Sequence, residues 1–196
     1  MRWRAPWRGG VGRMVVALAS GALLVGGGCI GTTDREDFNE IIRQRGGGLT
    51  SDLPLDAVGA VGEVLGVDDF EVRSMTVTPL SETVVLDVRD PAISENLDRY
   101  VVRRGDVDSV EPIRLTADYD LDRETFPVSG LALDGTEAMA DAALAQFDPS
   151  DGYVGSMTVS QQGDGVVVIQ LGLESPRATG TALFTAGGEL VEVTPT

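Results

Sequence analysis

The side chains able to carry chemistry in this 196-residue chain are few in kind. There is no His and no Lys, and the single cysteine is Cys29. Serine–histidine and cysteine–histidine catalysis are thereby excluded, because each needs an imidazole to take the nucleophile's proton. Zinc sites built on His and Cys, Schiff-base lysines and the phosphate-loop lysine are excluded on the same count. Carboxylates, hydroxyls and arginines remain. Two carboxylates at a suitable separation hydrolyse glycosidic bonds, so a carboxylate-based hydrolase is the one enzymatic route left open with ease. Nothing in the spacing singles out which two. Trp3 and Trp7, the best residues for stacking a sugar, both precede Cys29, and the chain reads as non-enzymatic.

Two charged clusters invite a closer look. Asp118, Asp120 and Asp122 alternate as in the opening of a calcium loop, but Arg123 stands where the loop needs Gly and Ser129 where it needs the bidentate Glu. A solvated edge that discourages aggregation is the plainer reading, and neither metal nor cofactor is expected. Arg99, Arg103, Arg104 and Arg114 form the second cluster. They are expected to pair with Asp98, Asp106, Asp108 and Glu111 across strands.

Cys29 is the one residue with a definite chemical expectation. Arg2 to Arg13 is a basic stretch, Met14 to Val25 is apolar, and Gly26-Gly27-Gly28-Cys29 follows at once. This is an export signal, too short to span a bilayer comfortably. Its ending resembles the lipobox of bacterial lipoproteins, in which the cysteine thiol is diacylated and becomes the new N-terminus. Gly27 and Gly28 suit the positions beside the cut, whereas Gly26 departs from the usual aliphatic residue. The resemblance implies a signal peptide over 1–28, lipid on Cys29, and anchorage at the extracytoplasmic face of the cell membrane. A chain cut there keeps 11 basic and 31 acidic groups, a net charge of −20. Such a surface repels phosphate backbones, so no nucleic-acid partner is expected. The all-arginine basic set fits a GC-rich genome such as an actinobacterial one.

Positioning elements come next. Residues 29–50 read as a lipidated flexible tether, in which Asp37 to Arg45 is either a short helix with Phe38, Ile41 and Ile42 on one face or tether throughout. Val72-Arg73-Ser74-Met75-Thr76-Val77 returns 82 positions later as Val154-Gly155-Ser156-Met157-Thr158-Val159. The surroundings return as well. A helix from Asp52 to Gly66, capped by Ser51 or Asp52 and carrying Val58, Val61, Val64 and Leu65 as its apolar stripe, corresponds to one from about Gly135 to Phe147 with Ala140, Ala143, Leu144 and Phe147. In each repeated strand the apolar residues fall three apart, as Val72 and Met75 and as Val154 and Met157. Either both faces are covered, or a bulge sits at Arg73-Ser74 and at Gly155-Ser156. Val84, Leu86 and Val88 match Val167, Ile169 and Leu171; Tyr100 and Val102 match Ala182 and Phe184. The expected fold is therefore α+β: an internal duplication of a helix plus a three- to four-stranded antiparallel meander, with the helices packed on one side of the sheet or sheets. Residues 51–115 and 133–196 are the two repeats, joined by an acidic connector over 116–132.

Helix, strands and a closing Gly-Gly-Glu-Leu-Val turn (Gly187 to Val191) in a tethered protein resemble PepSY-type modules. That resemblance covers Leu55 to Pro195 at the level of architecture and implies interaction with other proteins, proteases among them. It carries over no site residue. The leading expectation is a membrane-anchored lipoprotein whose domain binds or regulates an envelope protein. The alternative is a carrier of a lipid or other apolar ligand, for which Val84 to Leu86 and Val166 to Ile169 offer some two-sided apolarity.

Overall fold

The structure, a computed structural model, describes residues 48–147 and 151–196. The export signal, Cys29, the tether through Gly47 and Asp148 lie outside the described residues. Helix α1 spans Asp52–Leu65, and β1 (Glu71–Thr78), β2 (Thr83–Arg89), β3 (Leu97–Arg103) and β4 (Asp106–Pro112) follow. The single-turn α2 (Leu121–Glu124) and the two-residue β5 (Phe126–Pro127) precede α3 (Thr136–Gln146). Strands β6 (Tyr153–Gln161), β7 (Val167–Glu174), β8 (Thr179–Thr185) and β9 (Leu190–Pro195) complete the chain.

The nine strands make one antiparallel sheet in the order β4-β3-β2-β1-β6-β7-β8-β9, with β5 pairing beside the start of β1. Its centre is the contact between the two similar hexapeptides. Ser74 faces Ser160, Met75 faces Val159, Thr76 faces Thr158 and Val77 faces Met157. The register breaks between Val72 and Ser74 in β1 and between Val154 and Ser156 in β6, which decides for bulges. Each bulge inserts one residue, Arg73 or Gly155, and so returns the apolar side chains to the same face. Val72, Met75 and Val77 are all 0% exposed as a result, and so are Met157 and Val159. At Gly155 a β-carbon would displace the Glu174 carboxylate, which lies over the bulge.

The expected fold class is corrected by this sheet. Strand accounts for 42% of the described residues and helix for 27%, and the strands form one continuous sheet instead of duplicated helix-meander units. Edge pairing is the physical reason. A four-stranded meander ending at β1 exposes a row of unpaired amides and carbonyls on its most apolar strand, and joining β1 to β6 satisfies both rows at once. The apolar core runs unbroken through Leu86, Met75, Met157, Leu171 and Phe184.

Helix α3 buries Ala140, Ala143 and Phe147 as expected, whereas α1 departs in part from its expected face. In α1 the buried residues are Pro54, Ala57, Val61 and Gly62, while Val64 is 59% exposed. At Gly62 a β-carbon would lie 2.8 Å from the Val67 carbonyl oxygen, so the turn that follows α1 folds back tightly on this glycine. Gly66 ends the helix at φ +72°, its N–H donating to the Gly62 carbonyl at 2.8 Å. Ser51 makes no side-chain cap on α1. Its hydroxyl donates instead to the Asp134 carbonyl at 2.9 Å, and its backbone N–H reaches the Glu137 carboxylate at 3.4 Å, at the start of α3. The two helix starts are tied together through this one serine.

Because one core spans the sheet, truncating either central methionine should destabilise the whole domain. Met75→Ala and Met157→Ala are each expected to cost about 3 kcal/mol while leaving one cooperative transition in denaturant melts followed by circular dichroism. Separate transitions for the two halves would contradict a single core.

Candidate functional site

Strand β2 reads Thr-Val-Val-Leu-Asp-Val-Arg, and its phase sends Val84, Leu86 and Val88 to the core. Asp87 therefore emerges on the other face, where it is only 2% exposed. A carboxylate so placed needs partners to offset its lost hydration. The register supplies them, since β1 brings Ser74 opposite Asp87 and β3 brings Arg99 opposite it. Arg99 donates through Nε to Oδ1 at 2.8 Å and through Nη2 to Oδ2 at 3.1 Å. Arg73, displaced by the bulge, donates to Oδ2, and Ser74 Oγ donates there at 3.3 Å.

Burial pushes the Asp87 carboxyl up, but the hydrogen bonds and charges of Arg99 and Arg73 outweigh it and hold the group below the ordinary carboxylate range. Burial likewise opposes the Arg73 cation, which Asp87 and Tyr119 more than restore. This cluster joins three strands. Spacing arguments pass over Asp87 because its partners come from other strands; the available signal was an Asp inside an otherwise apolar strand, where that residue is depleted.

The connector is fastened over the neighbouring end of β1 and β2. Arg89 donates to Glu71 at 2.8 Å, to Asp122 at 2.6 Å and to the Ser94 carbonyl at 2.8 Å. Thr125 Oγ1 lies 3.0 Å from the Glu71 carboxylate and 2.7 Å from the Leu121 carbonyl. Asp122 thus has an arginine partner. The Asp118 carboxyl is held below its usual value by hydrogen bonds from the Thr116 hydroxyl and its own backbone. Among the described residues no three or more His, Cys, Asp or Glu side chains come together as metal ligands. The arginines of the β3–β4 hairpin pair in part as expected: Arg103 with Asp108 at 3.6 Å and Arg104 with Glu82 at 3.3 Å, while Arg99 turns to Asp87.

A different kind of site lies along α1. Leu55, Val58, Leu131 and Leu133 line a cleft of ≈ 270 Å³ whose rim includes Asp68, Asp69 and Asp134. Val58 and Asp68 also border a second depression of ≈ 440 Å³ beside Gly59, Gly62 and Gly66. Val58 and Asp68 border both hollows, which therefore adjoin as one groove along α1. Asp69 fixes the opposite wall, accepting from the Ser129 N–H at 3.2 Å and from Ser129 Oγ at 2.7 Å. Val58, expected on the apolar stripe of α1, is half-buried: it packs against the core and also lines the groove.

No protein-family model and no curated protein matches the chain, so the PepSY-type resemblance has no matching family behind it. The fold is similar to that of a solved Clostridium difficile 630 protein described as a "putative lipoprotein", with a TM-score of 0.53 and 13% identity over 72% of this chain and 91% of that one. At this identity the likeness concerns the fold alone.

The Asp87 cluster makes a signed prediction. Its pKa is lower folded than unfolded, so its stabilisation is complete above the unfolded carboxylate value of about 3.9 and is lost as pH falls through the folded value. Asp87→Asn should cost about 2 kcal/mol at pH 7, discounted because Arg99 is 46% exposed. It should also flatten the loss of stability below about pH 4, measured by urea melts across pH; an unchanged acid limb would remove Asp87 from that role.

Proposed function

We infer that the chain is a lipoprotein of the bacterial cell envelope, held at the extracytoplasmic face of the membrane through lipid on Cys29, whose sheet domain is a non-enzymatic module for binding or regulating an envelope protein. The observation that carries the anchoring is the basic stretch, apolar run and small residues ending at Cys29. The fold shared with a protein described as a "putative lipoprotein" supports it. Among the described residues no helix is long and apolar enough to cross a membrane.

Binding is favoured over carriage because the large side chains of the core face are already buried within the domain. Met75, Leu86, Met157, Ile169, Leu171 and Phe184 occupy the core with 0–1% exposure. Hydrolysis is disfavoured because Asp87, the most buried carboxylate among the described residues, is kept ionised by two arginines, whereas a glycosidase acid must hold a proton to give. The net charge of −20 after cleavage turns the domain away from anionic headgroups and nucleic acid and toward cationic partners.

Metabolic labelling with an alkyne fatty acid tests the anchor. Label should appear on the wild-type chain in the membrane fraction and be absent from Cys29→Ser, which should remain unprocessed. Labelled Cys29→Ser, or an unlabelled wild type secreted into the medium, would overturn the reading.

A further inference from the structure

The charges of this protein are segregated along the chain. Residues 48–72 contain no Lys or Arg, and neither do residues 124–176; fourteen acids fall in those two stretches. These stretches include α1, the 128–135 segment and α3, the elements that form and flank the groove. The described arginines other than Arg177 fall between 73 and 123. The charged residues that line the groove are therefore all acidic, while the β3–β4 turn that carries Arg104 meets α1 on another side, at Asp56.

Its walls are more apolar than a solvated helix requires. Leu55 is 41% exposed at one end, and Val58, Leu131 and Leu133 continue the lining. Asp68, Asp69 and Asp134 stand at the rim, with Glu63 beside the second hollow. Gly59 is the residue without a packing reason. A β-carbon there would meet nothing within 4 Å, yet glycine inside a helix is worse than alanine by roughly 1 kcal/mol. The interior of α1 thus keeps a residue that weakens the helix, and what that residue preserves is the depth of the groove.

We propose that the groove along α1, between Leu55 and Gly66 on one side and Val128 to Asp134 on the other, docks a partner segment that places aliphatic side chains on the hollow and Lys or Arg against its acidic rim. The apolar lining provides burial. The ring of like charge excludes acidic segments and draws in basic ones. This deepens the reading of the domain as a protein-binding module by naming the surface and the chemistry of its partner, and it rests on that reading.

The test uses the full lipid-anchored chain in detergent micelles and a synthetic amphipathic helical peptide of leucine and lysine, with a leucine–glutamate counterpart and an oligolysine of equal charge as controls. Fluorescence anisotropy should show binding of the leucine–lysine peptide that weakens with added salt. Gly59→Leu should weaken it about tenfold or more. That variant is a sound probe because its side chain enters open space and Leu is the better helix former, and its melting curve verifies that the domain is folded. Asp68→Asn with Asp134→Asn should weaken binding several-fold; Asp164→Asn with Glu192→Gln, away from the groove, should not.

Equal binding of oligolysine, or equal loss from the remote pair, would show a diffuse polyanion effect and overturn the proposal. So would binding of the leucine–glutamate peptide. A doubled native mass abolished by Gly59→Leu would assign the groove to a second copy of the chain, again against the proposal. None of these outcomes touches lipid labelling at Cys29, so the docking site and the anchor fail separately.

Discussion

The pairing of β1 with β6 is the constraint on which the rest of the structure depends. It places Met75, Val77, Met157 and Val159 on one face at the centre of the sheet. Apart from β5, which pairs with the start of β1, the other strands are added outward from this pair, through β2 to β4 on one side and β7 to β9 on the other. An antiparallel pair in the middle of a sheet has both edges satisfied and both apolar rows covered. The same strands as sheet edges would leave a row of unpaired backbone groups beside the most hydrophobic stretch of the chain. The matched bulges serve this arrangement, because without them Val72 and Val154 would fall out of phase with Met75 and Met157.

What the sheet does on its two faces differs in kind. On the core face, small helix residues such as Ala57 and Ala143 come close enough to seal the apolar layer. On the other face the bulge delivers Arg73 to Asp87, and Arg99 arrives from β3, so one buried carboxylate ties three strands with two guanidinium groups. The connector between the sheet halves is fastened by the same chemistry, with Arg89 between Glu71 and Asp122. The consequence for function is negative but useful. Among the described residues the arginines are largely engaged on this face and at the β3–β4 hairpin, and the charged residues lining the groove along α1 are acidic.

Close packing by small residues has a second effect. A helix that meets the sheet through Pro54, Ala57, Val61 and Gly62 uses a narrow strip of its surface. Leu55 and Val64 are then surplus to the core, although spacing alone would have put Val64 inside it, while Val58 packs against the core and lines the groove as well. Apolar residues displaced outward in this way form one wall of the groove, and the segment after β5 forms the other. The groove is thus a by-product of how tightly α1 packs.

The division between sequence and tertiary structure follows from the range of the interactions involved. Sequence by itself determined the positions of α1, α3 and the main strands and the core phase of Val84, Leu86, Val88, Ile169 and Leu171, because each rests on local periodicity. It also determined what chemistry is missing, since a side chain that is not encoded cannot act. It offered bulges as one of two explanations for a broken alternation, and could not choose, because the choice depends on which face the neighbouring strands cover. Only the tertiary structure decided that the strands form one sheet, that Ser51 serves the start of α3, that Asp87 is buried between arginines from two other strands, and that Val58 faces a groove. Those outcomes depend on pairing between residues far apart in the chain, and nothing in a local pattern of hydrophobicity records which distant edge a strand will meet.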